Sequence, residues 1–385
     1  MPNNPFDEII DRRHTGSYKW DVDEGELPMW VADMDFKTAP CVIDALTKRL
    51  SHGVFGYSYP EKEWAEAYVN FYKRHYGWAI DPNDIFFSLG VVPTLSSSVR
   101  ALVAPGEEVV IFPPVYNIFY NSIRNNGCVI KEVPLLEHDG DYRMDFPAIE
   151  EAFASPNAKL CIFCNPHNPV GRIWNEEELR ALYDIAKKNG VIILSDEIHG
   201  LVTKPGHPYL PFLSLSGVED CVYAAISPTK AFNLAGIHTS AIVIPNPEIR
   251  KKVERRLNTD ECAEPNVFSC IASTAALNEG DEWLAKMNEY VFKNRIFAEN
   301  FIKNEIPNLR VIPGEGTYLL WVDCRKLKDS GKGFAAKARK ETGLFVSDGA
   351  AYGTGGEGFI RINLACPMER VKDGLNRLKE AVAKD

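Results

Sequence analysis

A regular alternation of short apolar strands and amphipathic helices runs through the middle of the chain and restricts its fold more than any other feature. The predicted strands are Ile85–Leu89, Glu108–Phe112, Cys128–Val133, Lys159–Phe163, Val191–Ser195, Cys221–Ile226 and Ser240–Ile244. Such short, continuous apolar runs are typical of strands that are buried on both faces. Seven strands alternating with helices predict an α/β fold with a mostly parallel sheet that is covered by helices on both faces.

Residues able to bind ligands or do chemistry follow several of these strands directly. Gly90, the stretch Asn165–Asn168, Asp196 and Lys230 each lie just past the end of a predicted strand. Because the carboxyl ends of parallel strands share one edge of the sheet, we expect these groups to meet in a single site. A lysine that is partly removed from water there loses its charge more easily and becomes a nucleophile or a base. A lone loop lysine is usually solvated, so the interpretation depends on the shared placement.

The C-terminal part of the chain has a different pattern, which indicates a smaller α+β domain. The predicted elements are a long helix over about 281–304, a strand near Tyr318–Val322, a helix near Phe334–Lys340, a strand at Gly358–Ile362 and a terminal helix from Pro367. One large and one smaller domain suit a chain of 385 residues. We therefore divide the chain into 1–45 (an N-terminal arm and part of the small domain), 46–285 (the large domain) and 286–385 (the small C-terminal domain).

Charge, hydropathy and cysteine content exclude several classes of protein. A net charge of −10 without a basic stripe argues against nucleic-acid binding. No apolar run approaches the roughly 20 residues of a membrane span, and Met1–Glu8 lacks the basic and apolar parts of a signal peptide. We therefore expect no membrane partner and a cytoplasmic location. The nine cysteines are expected to be reduced, and no metal site is expected, because Cys161 and Cys164 face opposite sides of one predicted strand.

Two aromatic-rich segments precede the sheet. Leu27–Phe36 mixes large apolar groups with carboxylates, and it is either an arm packed across a site or an anchoring strand. Val54–Pro60 is a turn crowded with aromatic and hydroxyl groups, and a helix with aromatic side chains on one face follows it over about 61–76. The pattern leaves both interpretations of the first segment open.

Four motifs occur in an order that resembles a known family. They are Asn165–Gly171 (NPHNPVG), Asp196–His199 (DEIH), Ser227–Lys230 (SPTK) and Phe359–Asn363 (FIRIN). The chain resembles the fold type I enzymes that depend on pyridoxal 5′-phosphate (PLP), which are the class I and II aminotransferase-like family, and the likeness spans nearly the whole chain. The resemblance implies the aspartate aminotransferase fold, with a large PLP-binding domain and a smaller α+β domain.

The resemblance implies a role for the polar groups at the sheet edge. Lys230 would bind the aldehyde of PLP and later remove the substrate α-proton, while Asp196 would keep the pyridine nitrogen protonated. Asn168 would bond the ring oxygen, and Tyr116 would stack on the ring. Outside this family context, Asp196 is more often a helix cap, Asn168 a turn residue and Tyr116 a core aromatic.

The resemblance also implies where the phosphate binds. The backbone N–H groups of Gly90, Val91 and Val92 open a predicted helix, and the N-terminus of a helix favours an anion. The hydroxyl groups of Ser227 and Thr229 would add hydrogen bonds to the same phosphate.

Other matching positions concern the substrate and a second subunit. Arg361 matches the family arginine that holds the substrate α-carboxylate, a role that suits its planar fork, although an isolated arginine would more often form a surface ion pair. Tyr57 resembles the tyrosine that reaches the site of the partner subunit, which implies a homodimer with shared active sites, and Tyr59 fits the same role. Tyr57 and Asn168 are expected to contribute to substrate binding together with Arg361.

Two positions depart from the common aminotransferase pattern. His238 lies where many members have an arginine that faces the phosphate, so neutralisation of the phosphate must differ. His199 lies where many have a tyrosine, and it either faces the cofactor ring, as we expect, or is a structural histidine.

Three short sequence segments favour one reaction among those of the family. Pro28–Phe36, His52–Ser58 and Ser195–His199 resemble the cystathionine β-lyase or C–S lyase branch. The resemblance implies β-elimination from L-cystathionine or cysteine S-conjugates, which yields a thiol, pyruvate and ammonia. The alternatives are a class I/II aminotransferase, which would need a keto-acid acceptor, and a regulatory or interaction protein on the same fold.

Overall fold

The computed structural model describes residues 4–385, and Met1–Asn3 of the predicted N-terminal arm lie outside the described residues. In chain order the strands are β1 (Leu27–Pro28), β2 (Ile85–Ser88), β3 (Glu108–Ile111), β4 (Val129–Glu132), β5 (Leu136–His138), β6 (Asp141–Arg143), β7 (Ala158–Cys164), β8 (Ile192–Asp196), β9 (Val222–Ile226), β10 (Ser240–Val243), β11 (Arg310–Val311), β12 (Leu319–Asp323), β13 (Leu344–Phe345), β14 (Ser347–Asp348) and β15 (Phe359–Asn363). The α-helices are α1 (Pro40–His52), α2 (Lys62–Tyr76), α3 (Val91–Leu102), α4 (Ile118–Arg124), α5 (Phe146–Phe153), α6 (Glu176–Asn189), α7 (Pro247–Thr259), α8 (Ser269–Glu279), α9 (Asp281–Glu305), α10 (Phe334–Thr342) and α11 (Met368–Ala383).

The predicted strands form one seven-stranded sheet in the order β2-β10-β9-β8-β7-β3-β4. All neighbours are parallel except β10, which runs antiparallel to both β2 and β9. The prediction of a mostly parallel seven-stranded sheet is confirmed. Every residue of β9 and nearly every residue of β7 and β8 is buried, which explains their continuous apolar sequences.

Local signals in the sequence set the ends of the helices that cover this sheet. Helix α6 begins with a capping box, in which the Asn175 side chain accepts from the Glu178 N–H and the Glu178 side chain accepts from the Asn175 N–H. The helix ends at Gly190, whose φ of 69° is a left-handed conformation that glycine adopts without strain. The predicted helix over 175–189 and its C-cap are therefore confirmed.

A second, four-stranded antiparallel sheet, β11-β12-β15-β14, lies in the C-terminal part of the chain. A separate core joins this sheet to α10, α11 and the end of α9, and it also includes Trp20, Leu27 and Met29 from the N-terminal segment. This packing is consistent with assigning part of the N-terminal arm to the small domain. The boundaries 1–45, 46–285 and 286–385 stay predictions.

Helix α9 connects the two cores. Leu284, Met287 and Val291 in its first half belong to the core of the large sheet, whereas Ala298 and Ile302 in its second half belong to the C-terminal core. One long helix therefore fixes the small sheet relative to the edge of the large one.

Other features concern cysteines, metals and membranes. All nine cysteines lie within residues 4–385 and are unpaired. In this part of the chain, no group of three His, Cys, Asp or Glu side chains is arranged to hold a metal ion. The helices of residues 4–385 are too short or too polar to cross a bilayer.

Candidate active site

A cavity of about 900 Å³ lies at the edge of the large sheet where its parallel strands end, and residues of the small sheet form another wall. The predicted site residues that line it are Gly90, Val91, Val92, Tyr116, Asn168, Asp196, His199, Thr229, Lys230 and Arg361. The structure thus places in one cavity the groups that follow β2, β7, β8 and β9. Ser227 and Tyr57 are not among the residues that line it.

Lys230 lies in the loop that follows β9, and its amine points into the cavity. Its Nζ donates a hydrogen bond to the Ala32 carbonyl oxygen at 2.5 Å. Burial and the charge of Arg361 lower the pKa of the Lys230 amine to about 8, although Asp33 and Asp196 act in the opposite direction. The neutral form of this amine, which a nucleophile or a general base requires, is therefore more accessible near pH 7 than that of an exposed lysine.

Asp196 is the last residue of β8 and Glu197 follows it, but of the two only Asp196 lines the cavity. Within residues 4–385 the Asp196 carboxylate accepts one hydrogen bond, from the Ile198 N–H at 3.1 Å. Burial raises its pKa to about 7. Glu197 is fully buried and bonded to Ser195, to the Tyr209 hydroxyl and to a backbone N–H. Asp196 therefore keeps acceptor capacity for a ligand, whereas Glu197 anchors the following loop.

Arg361 lies on β15 and lines the cavity. Its Nη1 donates to Asn168 Oδ1 at 3.0 Å and its Nη2 donates to the Trp30 carbonyl oxygen at 2.8 Å. The guanidinium also lies 5.0 Å from the ring centre of Tyr352. Its buried Nε has no hydrogen-bond partner within residues 4–385. A fixed guanidinium with donors to spare can bind a carboxylate through two parallel hydrogen bonds.

His199 lies deep in the cavity wall. Its ring is 6.0 Å from that of Tyr318, edge to face, and its buried Nδ1 has no hydrogen-bond partner in the described chain. Burial, together with the charges of Lys230 and Arg361, holds the pKa of His199 well below its usual range. The imidazole is therefore neutral and can bond an oxygen or nitrogen of a ligand.

Tyr116 also lines the cavity, just before α4. Its ring is partly exposed to the cavity and packs edge to face on Phe119, at 5.9 Å. Burial raises the pKa of its hydroxyl to about 12, so the phenol is protonated at physiological pH. The ring can therefore act as a flat, uncharged surface for a planar ligand.

The first turn of α3 forms a further part of the wall. Among the described residues α3 has no side-chain cap, so the N–H groups of Val91 and Val92 are available to an anion. Thr229 and His238 line the same cavity. Ser227 lies behind the wall, with its hydroxyl 2.8 Å from that of Thr229 and donating to a backbone carbonyl at 2.8 Å. Ser227 thus contacts this part of the site through Thr229.

Tyr57 lies on the surface, with its side chain fully exposed. It lines a separate recess with Phe55, Ile237 and Phe268. Tyr59 is also exposed. A single chain therefore does not bring either tyrosine into the cavity.

Both interpretations of Leu27–Phe36 apply. The strand β1 pairs in parallel with β13, and the residues that follow cross the cavity as an arm. Backbone carbonyls of this arm accept from Lys230, Arg361 and Asn363.

Several residues of the site were not predicted from the sequence. Tyr318 donates from its hydroxyl to the Ala32 carbonyl at 2.9 Å, and Asn363 holds the carbonyls of Val31 and Asp33 at 2.6 Å each. Asn363 ends the motif Phe359–Asn363, so the motif pointed to it without revealing that it positions the arm. Tyr318 has no comparable signal, because a tyrosine that precedes a strand is common in cores.

Known proteins resemble this chain over nearly its whole length. The family model for aminotransferase class I and II matches residues 27–378. Cystathionine beta-lyase PatB of Bacillus subtilis is 39% identical over 98% of this chain and 100% of its own.

Solved structures agree with this likeness. Cystalysin from Treponema denticola, which contains a pyridoxal 5′-phosphate cofactor, is 34% identical, with a TM-score of 0.95 over 98% of each chain. A PLP-bound C-S lyase from Staphylococcus hominis is 35% identical, with a TM-score of 0.93 over 99% of this chain and 98% of its own.

Proposed function

The chain belongs to the class I and II aminotransferase family, and from this premise we propose that it is a PLP-dependent C–S lyase. It cleaves the Cβ–S bond of L-cystathionine or of cysteine S-conjugates and releases a thiol, pyruvate and ammonia. The observation that carries this proposal is the cavity that joins Lys230, Asp196 and Arg361, in a chain whose full-length relatives are named cystathionine beta-lyase and C-S lyase.

The residues of the cavity fit PLP. His199 Nδ1 and Arg361 Nε are buried polar atoms without hydrogen-bond partners in residues 4–385, and both residues line the cavity. Such atoms are costly to leave unpaired, so a polar ligand would stabilise them. Asp196 offers a carboxylate oxygen to a ring N–H, and Lys230 offers an amine to an aldehyde. When bound, PLP supplies a conjugated ring that withdraws electrons from the substrate Cα.

Individual side chains would hold the cofactor by contacts that suit their chemistry. Asp196 would bond the ring nitrogen, Asn168 and His199 the ring oxygen, and Tyr116 would stack on the ring face. The N-terminus of α3, at Gly90, Val91 and Val92, would bind the phosphate together with the Thr229 hydroxyl. Ser227 would support this contact through its hydrogen bond to Thr229.

The chain's own groups can orient the substrate and move its protons. Arg361 would bind the α-carboxylate and so place the Cα–H bond beside Lys230. Because its pKa is lowered to about 8, Lys230 Nζ can accept the Cα proton near physiological pH. Loss of that proton lets the Cβ–S bond break, and Lys230 Nζ–H can then protonate the leaving thiolate. The remaining unsaturated amino acid hydrolyses to pyruvate and ammonia.

The test measures products with and without a keto acid. The purified holoenzyme is mixed with L-cystathionine or S-methyl-L-cysteine, and pyruvate and free thiol are followed. We expect equal amounts of both without any added keto acid, and no pyruvate from L-alanine, which has no leaving group on Cβ. Turnover only with an added keto acid, with transfer of the amino group, would contradict the proposal and indicate an aminotransferase.

We also propose a homodimer with shared active sites. Val54, Phe55, Tyr57 and Tyr59 form an exposed and largely aromatic segment, which is unusual for a surface that faces only water. In the dimer, Tyr57 would reach the phosphate and substrate in the partner's cavity. Sedimentation equilibrium should give the mass of two chains, and a monomer at micromolar concentration would contradict this arrangement.

The thiols support a cytoplasmic location, which we propose as well. All nine cysteines of residues 4–385 are unpaired, as expected in a reducing compartment. Alkylation of freshly lysed cells followed by mass spectrometry should find these thiols free, and disulfide-linked peptides would contradict the assignment.

A further inference from the structure

We propose that Asn233 is a positioning residue for Lys230, because it holds the segment that carries the hydrogen-bond acceptor of the lysine amine. We call residues 29–36 the cavity arm, since three of them, Trp30, Val31 and Ala32, line the cavity. The inference rests on the proposed role of Lys230 as the base that takes the Cα proton. It adds a residue that places this base without touching the substrate.

The cavity arm belongs to no helix or strand, so its backbone groups need hydrogen-bond partners elsewhere. Asn233 provides partners for three of these groups. Its Nδ2 donates to the carbonyl oxygens of Met34 at 3.0 Å and Phe36 at 2.8 Å, and its Oδ1 accepts from the Met34 N–H at 3.0 Å. We call these three hydrogen bonds the Asn233 clamp. Both N–H bonds of the amide and its oxygen are thus used on one distant segment.

The backbone of Asn233 explains why an asparagine occupies this position. Its φ of 55° is left-handed, a conformation that asparagine, aspartate and glycine adopt more readily than most residues. Glycine has no side chain, and an ionised aspartate has no N–H to donate. Of these three residue types, only asparagine therefore tolerates the conformation and makes all three hydrogen bonds.

Asn233 lies in the same hydrogen-bonded turn as Lys230. The Leu234 N–H donates to the Thr229 carbonyl at 2.8 Å, which closes a turn around both residues. Between them the side chain of Phe232 is fully buried in the core of the large sheet. The Asn233 clamp therefore fixes the cavity arm relative to the backbone of Lys230.

The position of the cavity arm determines where the acceptor of the lysine amine lies. The Ala32 carbonyl oxygen accepts from Lys230 Nζ at 2.5 Å and from the Tyr318 hydroxyl at 2.9 Å. An amine that donates to a fixed carbonyl is held in one place, and its lone pair stays available to a ligand in the cavity. Because proton transfer depends steeply on the position of the base, movement of Ala32 would slow removal of the Cα proton.

The other end of the cavity arm has its own supports. The Met29 N–H donates to the Phe345 carbonyl at 2.7 Å. The Trp30 carbonyl, which accepts from Arg361, also accepts from Ser347 Oγ at 3.1 Å. Loss of the Asn233 clamp should therefore slow proton removal and leave binding of the substrate carboxylate nearly unchanged.

The main test follows exchange of the α-proton of L-alanine in D2O by NMR. This exchange requires the holoenzyme to remove the Cα proton, but it breaks no bond at Cβ. Asn233→Gly keeps the left-handed conformation and loses the amide. We expect the kcat of exchange per bound cofactor to fall by about tenfold or more, and the KM to stay within about threefold of wild type. An unchanged kcat would show that Asn233 serves only the backbone conformation and would overturn the proposal, as would a rise in KM alone.

Asn246→Gly is the matched control. The Asn246 amide also binds backbone groups, since it accepts from the N–H groups of Glu248 and Ile249 and donates to the Asp220 carbonyl at 2.8 Å. It lies at the start of α7 and does not line the cavity. This variant should leave both the kcat and the KM of exchange as in wild type. A loss of kcat equal to that in Asn233→Gly would indicate general destabilisation and contradict the positioning role.

Hydrogen–deuterium exchange of the full-length holoenzyme measures the Asn233 clamp without any reaction. The Met34 N–H is protected by Asn233 Oδ1, so Asn233→Gly should raise its exchange rate by about tenfold or more, and Asn246→Gly should not. Asn233→Asp keeps this acceptor and tolerates the conformation but loses both donors. Its exchange rate should lie between those of wild type and Asn233→Gly, and it replaces Asn233→Gly in both tests if that variant does not fold. Equal protection of Met34 in wild type and the Asn233 variants would overturn the clamp.

The measurements separate failure of this proposal from failure of the lyase proposal. A wild-type holoenzyme that exchanges the α-proton of L-alanine but releases no pyruvate from L-cystathionine is not the proposed lyase. A tenfold loss of exchange in Asn233→Gly would still support the positioning role in that case. If pyruvate is released but Asn233→Gly leaves α-proton exchange unchanged, the lyase proposal stands and the positioning role fails.

Discussion

Two buried lysine–aspartate combinations in this molecule behave in opposite ways. Lys19 and Asp35 lie 3.2 Å apart with their side chains almost completely buried. Lys230 and Asp196 also lie together in the wall of the cavity, but they form no ion pair within the described residues. The residue types are the same, so the difference must come from the other groups around them.

Asp35 is saturated with donors. Besides Lys19, the Arg12 Nη1 lies at 2.8 Å, the Trp20 Nε1 donates at 2.8 Å and the Arg370 guanidinium lies at 3.1 Å. Burial alone would raise the pKa of Asp35, but these donors together hold it below its usual range. The cluster joins the N-terminal segment to α11 and so fixes the start of the arm that crosses the cavity.

Asp196 and Lys230 are left short of partners. Burial raises the pKa of Asp196 to about 7 and lowers that of Lys230 to about 8. Both groups therefore change protonation state near physiological pH, which suits a site that exchanges protons with a ligand. The comparison shows that hydrogen-bond saturation, rather than burial or residue type, separates a structural ion cluster from a reactive pair.

The largest expected effect comes from replacing the reactive lysine. Lys230→Ala removes the Nζ that we propose takes the Cα proton, so pyruvate release by the holoenzyme should fall by about 10⁴-fold or more, while the fold is retained. The measurement is the initial rate of pyruvate release, with circular dichroism to check folding.

Lys19→Met is the matched variant for this experiment. It should weaken the fold, yet activity per folded molecule should stay within about tenfold of wild type, because Lys19 does not line the cavity. If both lysine variants lost activity equally while folded, the distinction between the two combinations would be wrong.

The sequence predicted that Asp196 and Lys230 would meet at one edge of the sheet, as they do, but it gave no sign of the cluster around Asp35. Asp196 and Lys230 follow continuous apolar strands directly, so local pattern places both at the same edge of the sheet. Asp35 contacts Lys19 and Arg370, which are far apart in the chain. The periodicity of a helix or a strand predicts no contact between positions so distant in sequence.

The same reason explains what else was missed in the site. Contacts through the carbonyls of Trp30 and Ala32 depend on the backbone, so no residue type marks them. Tyr18, Trp30 and Phe345 come from separate segments and line the cavity together, and an isolated aromatic in a sequence is more often part of a core.

The next largest expected effect is a loss of stability on replacing Asp35, the carboxylate saturated with donors. Asp35→Asn leaves Lys19 buried without a full counter-charge, and we expect the free energy of unfolding at pH 7 to fall by about 3–5 kcal/mol. Denaturant unfolding with a native-state spectroscopic signal measures this change. Asp373→Asn is the control, because Asp373 forms an exposed pair with Arg377 and should change stability by less than about 1 kcal/mol. Equal effects of the two substitutions would show that the cluster contributes no more than a surface pair.

The smallest expected effect is a gain in stability on replacing Asp196, and its size depends on pH. The folded-state pKa of Asp196 is raised from 3.8 to about 7. Below about pH 4 this carboxyl is protonated in both the folded and the unfolded chain. As the pH rises towards 7, the unfolded chain releases the proton and the folded chain keeps it, so wild type loses stability relative to Asp196→Asn. In the cofactor-free protein the variant should therefore gain about 1.4 kcal/mol per pH unit over this range, up to about 4 kcal/mol at pH 7.

Unfolding of both cofactor-free proteins at a series of pH values measures this difference. Loss of the attraction between Asp196 and Lys230 reduces the gain but does not reverse it, because burial is the largest cause of the raised pKa. Asp35→Asn, measured in the same series, should instead become less harmful as the pH falls, since the pKa of Asp35 is lowered in the folded chain. If Asp196→Asn were less stable than wild type at pH 7, then Asp196 would be a satisfied carboxylate like Asp35, and the contrast between saturated and unsaturated pairs would not hold.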